Sequence, residues 1–186
     1  MAARHSPAIF FYGSQEAPDF RRSSAGGGFT MIVIGSDHGG VALKDFLVDK
    51  LRARRIEVED VGTHGGDSVD YPDFGRRVAE KVASGAAERG ILLCTSGIGM
   101  SMVANKYPGV RAALVHEAKG AQMSREHNDA NVLVLGGGVV EPPIAEKILD
   151  IWLETPFTGG RHQRRVDKIA QLEKDLGTHL DDKNKS

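Results

Sequence analysis

The chain has 186 residues, enough for one well-packed domain and too few for two comfortable ones. Its formal net charge of -1 gives no global field that would draw nucleic acid or a membrane surface. Its one cysteine excludes an intrachain disulfide and fits a reducing, cytoplasmic compartment, and no apolar run approaches the roughly 20 residues that cross a bilayer.

Residues 1–30 differ from everything after them. The apolar patch Ala8-Ile9-Phe10-Phe11-Tyr12 lacks the length and basic flank of a secretory signal, and Arg21 to Gly28 is a polar, glycine-ending run. This segment is expected to be a flexible extension. From Met31 the pattern alternates. Met31 to Gly35 reads as a first strand. The helix after it sets Val41, Leu47, Val48 and Leu51 on one face and points Lys44, Asp45, Lys50 and Arg52 away. Ile56 to Val61 is a second strand, and Pro72 opens a helix that runs to about Ala83. Ile91 to Cys94 and Val110 to Val115 are the third and fourth strands. A helix over Glu117 to His127 leads to a fifth strand, Asn131 to Leu135, and helices over Ile144 to Leu153 and Val166 to Leu176 complete the domain. Five strands separated by helices predict an α/β protein: a three-layer α/β/α sandwich around a five-stranded parallel, Rossmann-like sheet. The domain spans 31–177, with a polar tail at 178–186.

In such sheets ligands collect beyond the carboxyl ends of the strands, where strand order reverses. The rule nominates Ser36-Asp37-His38-Gly39-Gly40, the loop after Cys94, and Gly136-Gly137-Gly138. The second of these is the most telling. Cys94 closes the apolar run Gly90-Ile91-Leu92-Leu93, and Thr95-Ser96-Gly97-Ile98-Gly99 follows as the mouth of a helix. A thiol there faces backbone N–H groups and a helix dipole that favour a thiolate and a nearby oxyanion. That suits proton abstraction beside a carbonyl. A plainer account makes Cys94 a small buried residue closing a strand.

The other constellations each allow two accounts. Asp37 either caps the first helix or meets a sugar hydroxyl, with His38 beside it for a phosphate. Arg125-Glu126-His127-Asn128-Asp129 ends a helix: Asn128 serves as a left-handed stop and His127 as a dipole partner, or the imidazole moves protons at neutral pH. The arginines of Gly159-Gly160-Arg161-His162-Gln163-Arg164-Arg165 precede the last helix and oppose its dipole. They form either a solvated basic face or a seat for an anion. Spacing removes other classes. The glycines after Cys94 lack the third glycine and the downstream acid of a dinucleotide site, and no Gly-x-x-x-x-Gly-Lys-Ser/Thr loop occurs. The loop after Cys94 contains no arginine to hold a phosphate for attack by the thiol, and the histidines are too scattered for a zinc signature.

Asp37-His38-Gly39-Gly40, Thr63 with Asp70-Tyr71-Pro72, Cys94 with Ser96-Gly97-Ile98-Gly99, Ala104-Asn105-Lys106, Arg125-Glu126-His127-Asn128 and Gly159-Gly160-Arg161-His162 occur in one order. As an ordered set they resemble the type B ribose-5-phosphate isomerase family, which also includes galactose-6-phosphate and allose-6-phosphate isomerases. The resemblance covers roughly Ile32 to Leu176. It implies interconversion of an aldose phosphate and its ketose through a cis-enediol, within pentose phosphate metabolism, without metal or other cofactor. It implies Cys94 as the base between carbons 2 and 1, Ser96 as a proton shuttle between the substrate oxygens, and His127 as the ring opener. The N–H groups of Gly97, Ile98 and Gly99 then hold the enediolate oxygen, Asp37, Tyr71 and Asn128 the sugar, and His38, Arg161 and Arg165 the phosphate. It also implies a homodimer, or a tetramer, whose sites are shared between subunits.

Two positions depart from the family pattern. Thr95 stands where glycine is usual, and a β-branched residue resists a positive φ, so the loop is expected to differ. Gly138 stands where the family commonly reads Gly-x-Arg, which removes a phosphate-binding cation that Arg164 or Arg111 would have to replace. These departures bear on which sugar phosphate is used. The rival expectations are an isomerase of a hexose 6-phosphate and a non-catalytic sugar-phosphate sensor.

Overall fold

A computed structural model describes residues 31–183, with side chains to residue 176. The extension expected over 1–30 lies outside the described residues. The parallel strands β1 (Ile32–Ser36), β2 (Val58–Asp60), β3 (Arg89–Cys94), β4 (Ala112–Leu114) and β5 (Val132–Gly136) form one sheet in the order β2-β1-β3-β5-β4. Helices α1 (Val41–Ala53), α2 (Tyr71–Ala83), α3 (Ile98–Ala104), α4 (Ala118–Asn128), α5 (Pro142–Glu154) and α6 (Arg161–Lys183) follow in chain order, with a 3-10 turn over His38–Gly40 before α1. This is the expected α/β/α sandwich.

Strand periodicity sorts the core into two layers. Ile32, Ile34, Ile91, Leu93, Leu133 and Leu135 project to the face covered by α1 and α5, where Leu47, Leu51, Ile148 and Trp152 meet them. Their neighbours Val33, Leu92, Cys94, Val132 and Val134 project to the other face, against Val78, Ala79 and Met100 of α2 and α3. The three central strands are buried on both faces, which is why they read as continuous apolar runs. Cys94 thus belongs to the α2/α3 layer.

The edges shrink relative to expectation. β4 was expected over Val110 to Val115 and holds only Ala112–Leu114; β2 was expected over Ile56 to Val61 and holds only Val58–Asp60. On β4 the Asn105 side chain takes the place of a neighbouring strand, donating to the Ala112 carbonyl and accepting from its N–H, both at 2.9 Å. A side chain that pairs an edge residue both ways protects that edge from further strand pairing. Asn105 is therefore explained structurally.

Two helical expectations need correction. α6 begins at Arg161, not Val166, so the arginine cluster lies inside its first turn; it also runs past Gly177 to Lys183, through most of the segment expected as a tail. Lys44 does not point away from the domain. It is fully buried, and its ammonium pairs with Asp60 at 2.5 Å and Asp45 at 3.0 Å, with His64 Nδ1 at 3.4 Å. A lysine can be buried where carboxylates stay within reach of its charge. Periodicity registers the polarity of such a residue but not a partner on another element.

Candidate active site at the sheet crevice

Strand order reverses between β1 and β3, so the crevice opens between the loops that leave Ser36 and Cys94. Asp37, at the first of these ends, is buried, and its Oδ1 accepts from the Gly39 N–H at 2.9 Å. The capping account of Asp37 therefore holds for that oxygen. The next residue, His38, is exposed, and its Nδ1 accepts from the Val69 N–H at 3.2 Å. A ring nitrogen that accepts carries no proton, so Nε2 bears it and is the donor left to the crevice.

Val69 belongs to the loop between β2 and α2. That loop is tied down by Lys44 on Asp60, by the Gly62 N–H to Asp60 Oδ1 at 2.9 Å, and by the Thr63 N–H to the Ser36 carbonyl at 3.0 Å. The same loop delivers Tyr71. Its ring packs on Gly99 in the first turn of α3, 2.6 Å from where a Cβ there would stand, so a side chain at 99 would push the ring aside. The Lys44–Asp60 pair fixes the start of this loop, and sequence spacing alone gives no hint of it. Asp45, Asp60 and His64 are also the one grouping of potential metal ligands among the described residues, and the Lys44 ammonium already stands among them.

At the end of β3 the Cys94 sulfur is buried and receives the Gly97 N–H at 3.0 Å, a donor that serves a thiolate better than a thiol. Gly97 takes the left-handed conformation, φ 79°, that reverses the chain into α3. The Ile98 N–H donates to Ser96 Oγ at 3.3 Å. So of the three N–H groups expected to hold an oxyanion, Gly97 serves the sulfur and Ile98 serves the Ser96 hydroxyl. That of Gly99 belongs to the opening turn of α3, where N–H groups have no partner within the helix. The strain expected at Thr95 does not arise. Among the described residues only Arg55 and Asp129 are non-glycine with positive φ, and the left-handed position of the loop is Gly97.

His127, Asn128, Arg161 and Arg165 are elsewhere. α4 runs antiparallel to the strands and ends just before β5 begins at Val132, which pairs with Gly90 near the start of β3. Cys94 pairs with Gly136 at the other end of β5. The five residues of β5 span roughly 16 Å at about 3.3 Å each. Within one chain His127 and Cys94 therefore lie at opposite edges of the sheet.

The second cluster is itself well built. The helix stop is Asp129, φ 46°, not Asn128, and it is held from both sides: Arg125 reaches Asp129 Oδ1 at 2.8 Å and Arg111 reaches Oδ2 at 3.0 Å. These two ion pairs make the left-handed stop affordable for an aspartate. Arg111 also donates to the Asn128 and Asp129 carbonyls, so it is committed to this corner. The His127 ring stacks on His162 with centroids 4.2 Å apart and planes within 2°. Burial, then the positive neighbours His127, Arg161 and Arg165, hold the His162 pKa below the ordinary imidazole value, with Glu126 opposing weakly.

The sign follows directly. A histidine whose folded pKa is depressed favours folding above its unfolded value of about 6.5 and loses that contribution as pH falls below it. The contribution of His162 to stability should thus be lost as pH is lowered from about 7.5 to about 5, and His162→Gln should make the melting temperature less sensitive to pH over that range. A His162→Gln variant whose melting temperature falls on acidification as steeply as that of the wild type would contradict the lowered His162 pKa.

An open parallel α/β sheet with a buried, N–H-bonded thiol at its switch-point crevice is an arrangement for small-molecule chemistry. Residues 32–169 match the family described as Ribose/Galactose Isomerase, and the chain belongs to it. It is 45% identical to ribose-5-phosphate isomerase B of Escherichia coli over 142 residues, 76% of this chain and 95% of that protein. The solved Clostridium thermocellum ribose-5-phosphate isomerase B is 55% identical, with TM-score 0.77 over 78% of this chain and 99% of that one. The Mycoplasma genitalium enzyme, solved with bound ribulose-5-phosphate, is 44% identical, with TM-score 0.75 over 77% of this chain and 96% of that one.

Proposed function

We propose that this protein interconverts D-ribose 5-phosphate and D-ribulose 5-phosphate, with Cys94 as the base. The observation that carries the assignment is the Cys94 sulfur at the crevice, bonded to the Gly97 N–H and flanked by Ser96 and the opening turn of α3. In the open-chain aldose the thiolate takes the proton from carbon 2, the C2–C1 bond gains double-bond character, and the electrons move onto the carbonyl oxygen. The cis-enediol forms as that oxygen is protonated. Return of the proton to carbon 1, with loss of the proton on the carbon 2 oxygen, gives the ketose. Ser96 relays protons between the two oxygens, and N–H groups of Ile98 and Gly99 steady the developing charge while that of Gly97 holds the sulfur. Engagement of Ile98 with Ser96 is then a resting arrangement that substrate replaces. His38 offers Nε2–H to the phosphate, while Asp37 and Tyr71 face the sugar.

His127 opens the sugar ring, Asn128 binds the sugar, and Arg161 and Arg165 bind the phosphate, all from a second copy of the chain. The support is geometric: one chain keeps these residues an edge away from Cys94, and a homodimer pairing crevice with opposite edge reunites them. Exposed apolar side chains lie near both edges: Ile98 and Met102 on α3, and Ile169, Leu172 and Leu176 on α6. Such a pairing would remove that surface from water. Among the described residues no helix is long and apolar enough to cross a membrane, and the lone thiol suits a reducing cytoplasm. The activity is tested by incubating the protein with ribose 5-phosphate, allose 6-phosphate and galactose 6-phosphate and following the ketose. Turnover fastest on ribose 5-phosphate is expected. Turnover only on a hexose phosphate would reassign the substrate, and binding without turnover would make the protein a sensor.

A further inference from the structure

His127 and Asn128 are the last two residues of α4, and the corner that follows them is held in two layers. The first is an ordinary left-handed close. The Asp129 N–H donates to the Arg125 carbonyl at 3.1 Å and the Ala130 N–H to the Ser124 carbonyl at 2.9 Å. The second is Arg111, from the turn before β4. Its Nε donates to the carbonyls of Asn128 and Asp129, each at 3.0 Å, and its Nη2 to the Asp129 carbonyl at 2.8 Å and to Asp129 Oδ2 at 3.0 Å. The main chain of Arg111 is pinned in turn. Its N–H donates to Asn131 Oδ1 at 2.8 Å, and Asn131 Nδ2 donates to the Gly109 carbonyl at 2.8 Å. At the same helix end the Thr158 N–H donates to the Glu126 carbonyl at 3.1 Å, and His162 stacks on His127. The backbone that carries His127 and Asn128 is thus held by groups from the β4 turn and from the segment before α6, while Asn128 itself stays exposed.

We propose that Arg111 is a positioning residue for the isomerase reaction: by gripping the Asn128 and Asp129 carbonyls it sets the direction in which His127 and Asn128 leave the end of α4. The proposal rests on the assignment of those two residues to the half of the site that a second copy supplies. Arg111 acts through the backbone it holds and touches no reacting group. Its planar fork takes two successive carbonyls and a carboxylate together, which the single ammonium of a lysine does not reproduce. Without that grip the last turn of α4 is free to shift, and a misplacement of about 1 Å at a reacting group can slow a reaction by about 10²-fold.

The test uses full-length Arg111→Ala and Arg111→Lys. Asp129→Gly is added as a variant that takes the left-handed stop without strain and removes only the carboxylate. Both Arg111 variants should lose about 10–100-fold in kcat/KM on ribose 5-phosphate, and Asp129→Gly, which keeps the carbonyl bonds, should lose less. Pairing separates positioning from a general structural role. After subunit exchange, Arg111→Ala with Cys94→Ala should return about a quarter of wild-type activity per subunit, because the intact thiol of one chain meets the intact helix end of the other. Arg111→Ala with His127→Ala should stay at the residual level, since both defects lie in the same half. Recovery with His127→Ala, or wild-type kinetics in Arg111→Lys, would overturn the proposal. So would failure with Cys94→Ala when a control mixture of Cys94→Ala and His127→Ala recovers. Should Arg111→Ala not fold, Arg111→Lys takes its place in both mixtures. A control that stays inactive, or a wild type that turns over no aldose phosphate, defeats the shared site or the isomerase assignment instead. The proton resonances of the His127 ring then decide alone: they should move in both Arg111 variants as the stack on His162 shifts, and unmoved resonances would overturn the role of Arg111.

Discussion

Cys94→Ala is expected to lower kcat on ribose 5-phosphate by about 10²–10⁴-fold, the contribution of a well-placed proton-transfer group, and to leave KM within about threefold of wild type. The asymmetry follows from position. The sulfur is buried, and the side chains proposed to hold sugar and phosphate are carried by other loops, so its removal takes away chemistry in the transition state and little ground-state contact. The substitution is also mild for the fold. A small side chain shrinks by one atom in the layer shared with Leu92 and Met100, and the Gly97 N–H loses its sulfur acceptor at the crevice. Circular dichroism and thermal melts should show a folded protein. Steady-state kinetics with coupled ketose detection decides the matter. Turnover near the wild-type rate would transfer the base function to another group.

Mixing two inactive variants should restore activity. Cys94→Ala and His127→Ala each remove one half of a site that a single chain holds at opposite sheet edges. After subunit exchange, random pairing makes about half the dimers mixed, and each mixed dimer has one site with both groups intact and one with neither. Roughly a quarter of all sites should then work, so activity should return to about a quarter of the wild-type value per subunit. Native mass spectrometry confirms exchange. Confirmed exchange with no recovered turnover would argue for a site built within one chain, or for copies of the chain that pair in another way. The same argument extends to Arg161→Ala mixed with Cys94→Ala, since Arg161 adjoins His162, which stacks on His127.

The two expectations differ in what each substitution disturbs. At Cys94 the surroundings are fixed by the sheet register, and the loss is confined to one core atom and the acceptor of the Gly97 N–H. At His127 the stack on His162 is lost as well, and with it part of the arrangement that seats the first turn of α6. Some loss of thermal stability is expected for both variants, and the recovered activity is best read at a temperature well below both melts.

The architecture was legible in the amino-acid sequence because its signals are local. The apolar runs at Ile32, Ile91 and Val132 mark strands buried on both faces, Pro72 marks a helix start, and the glycines after Cys94 mark a reversal into a helix; each depends on residues a few positions apart. The crevice followed from strand order and loop position. What no local pattern carried is who partners whom across elements. Lys44 reads as a surface lysine until Asp60 on β2 is placed against it, and Arg111 reads as a spare cation until Asp129 claims it. Asp129, not Asn128, takes the left-handed stop because two arginines from different elements hold its carboxylate. Thr95 reads as a strained residue in a loop until the fold shows that Gly97 takes the turn and Gly39 leaves room for its hydroxyl. The division of the candidate residues between two sheet edges is likewise tertiary. Residues near in motif order became distant because α4 spans the sheet from one edge to the other. Ion pairs, close approaches through glycine and the direction of a helix across a sheet all depend on distances between elements, and those exist only once the chain has folded.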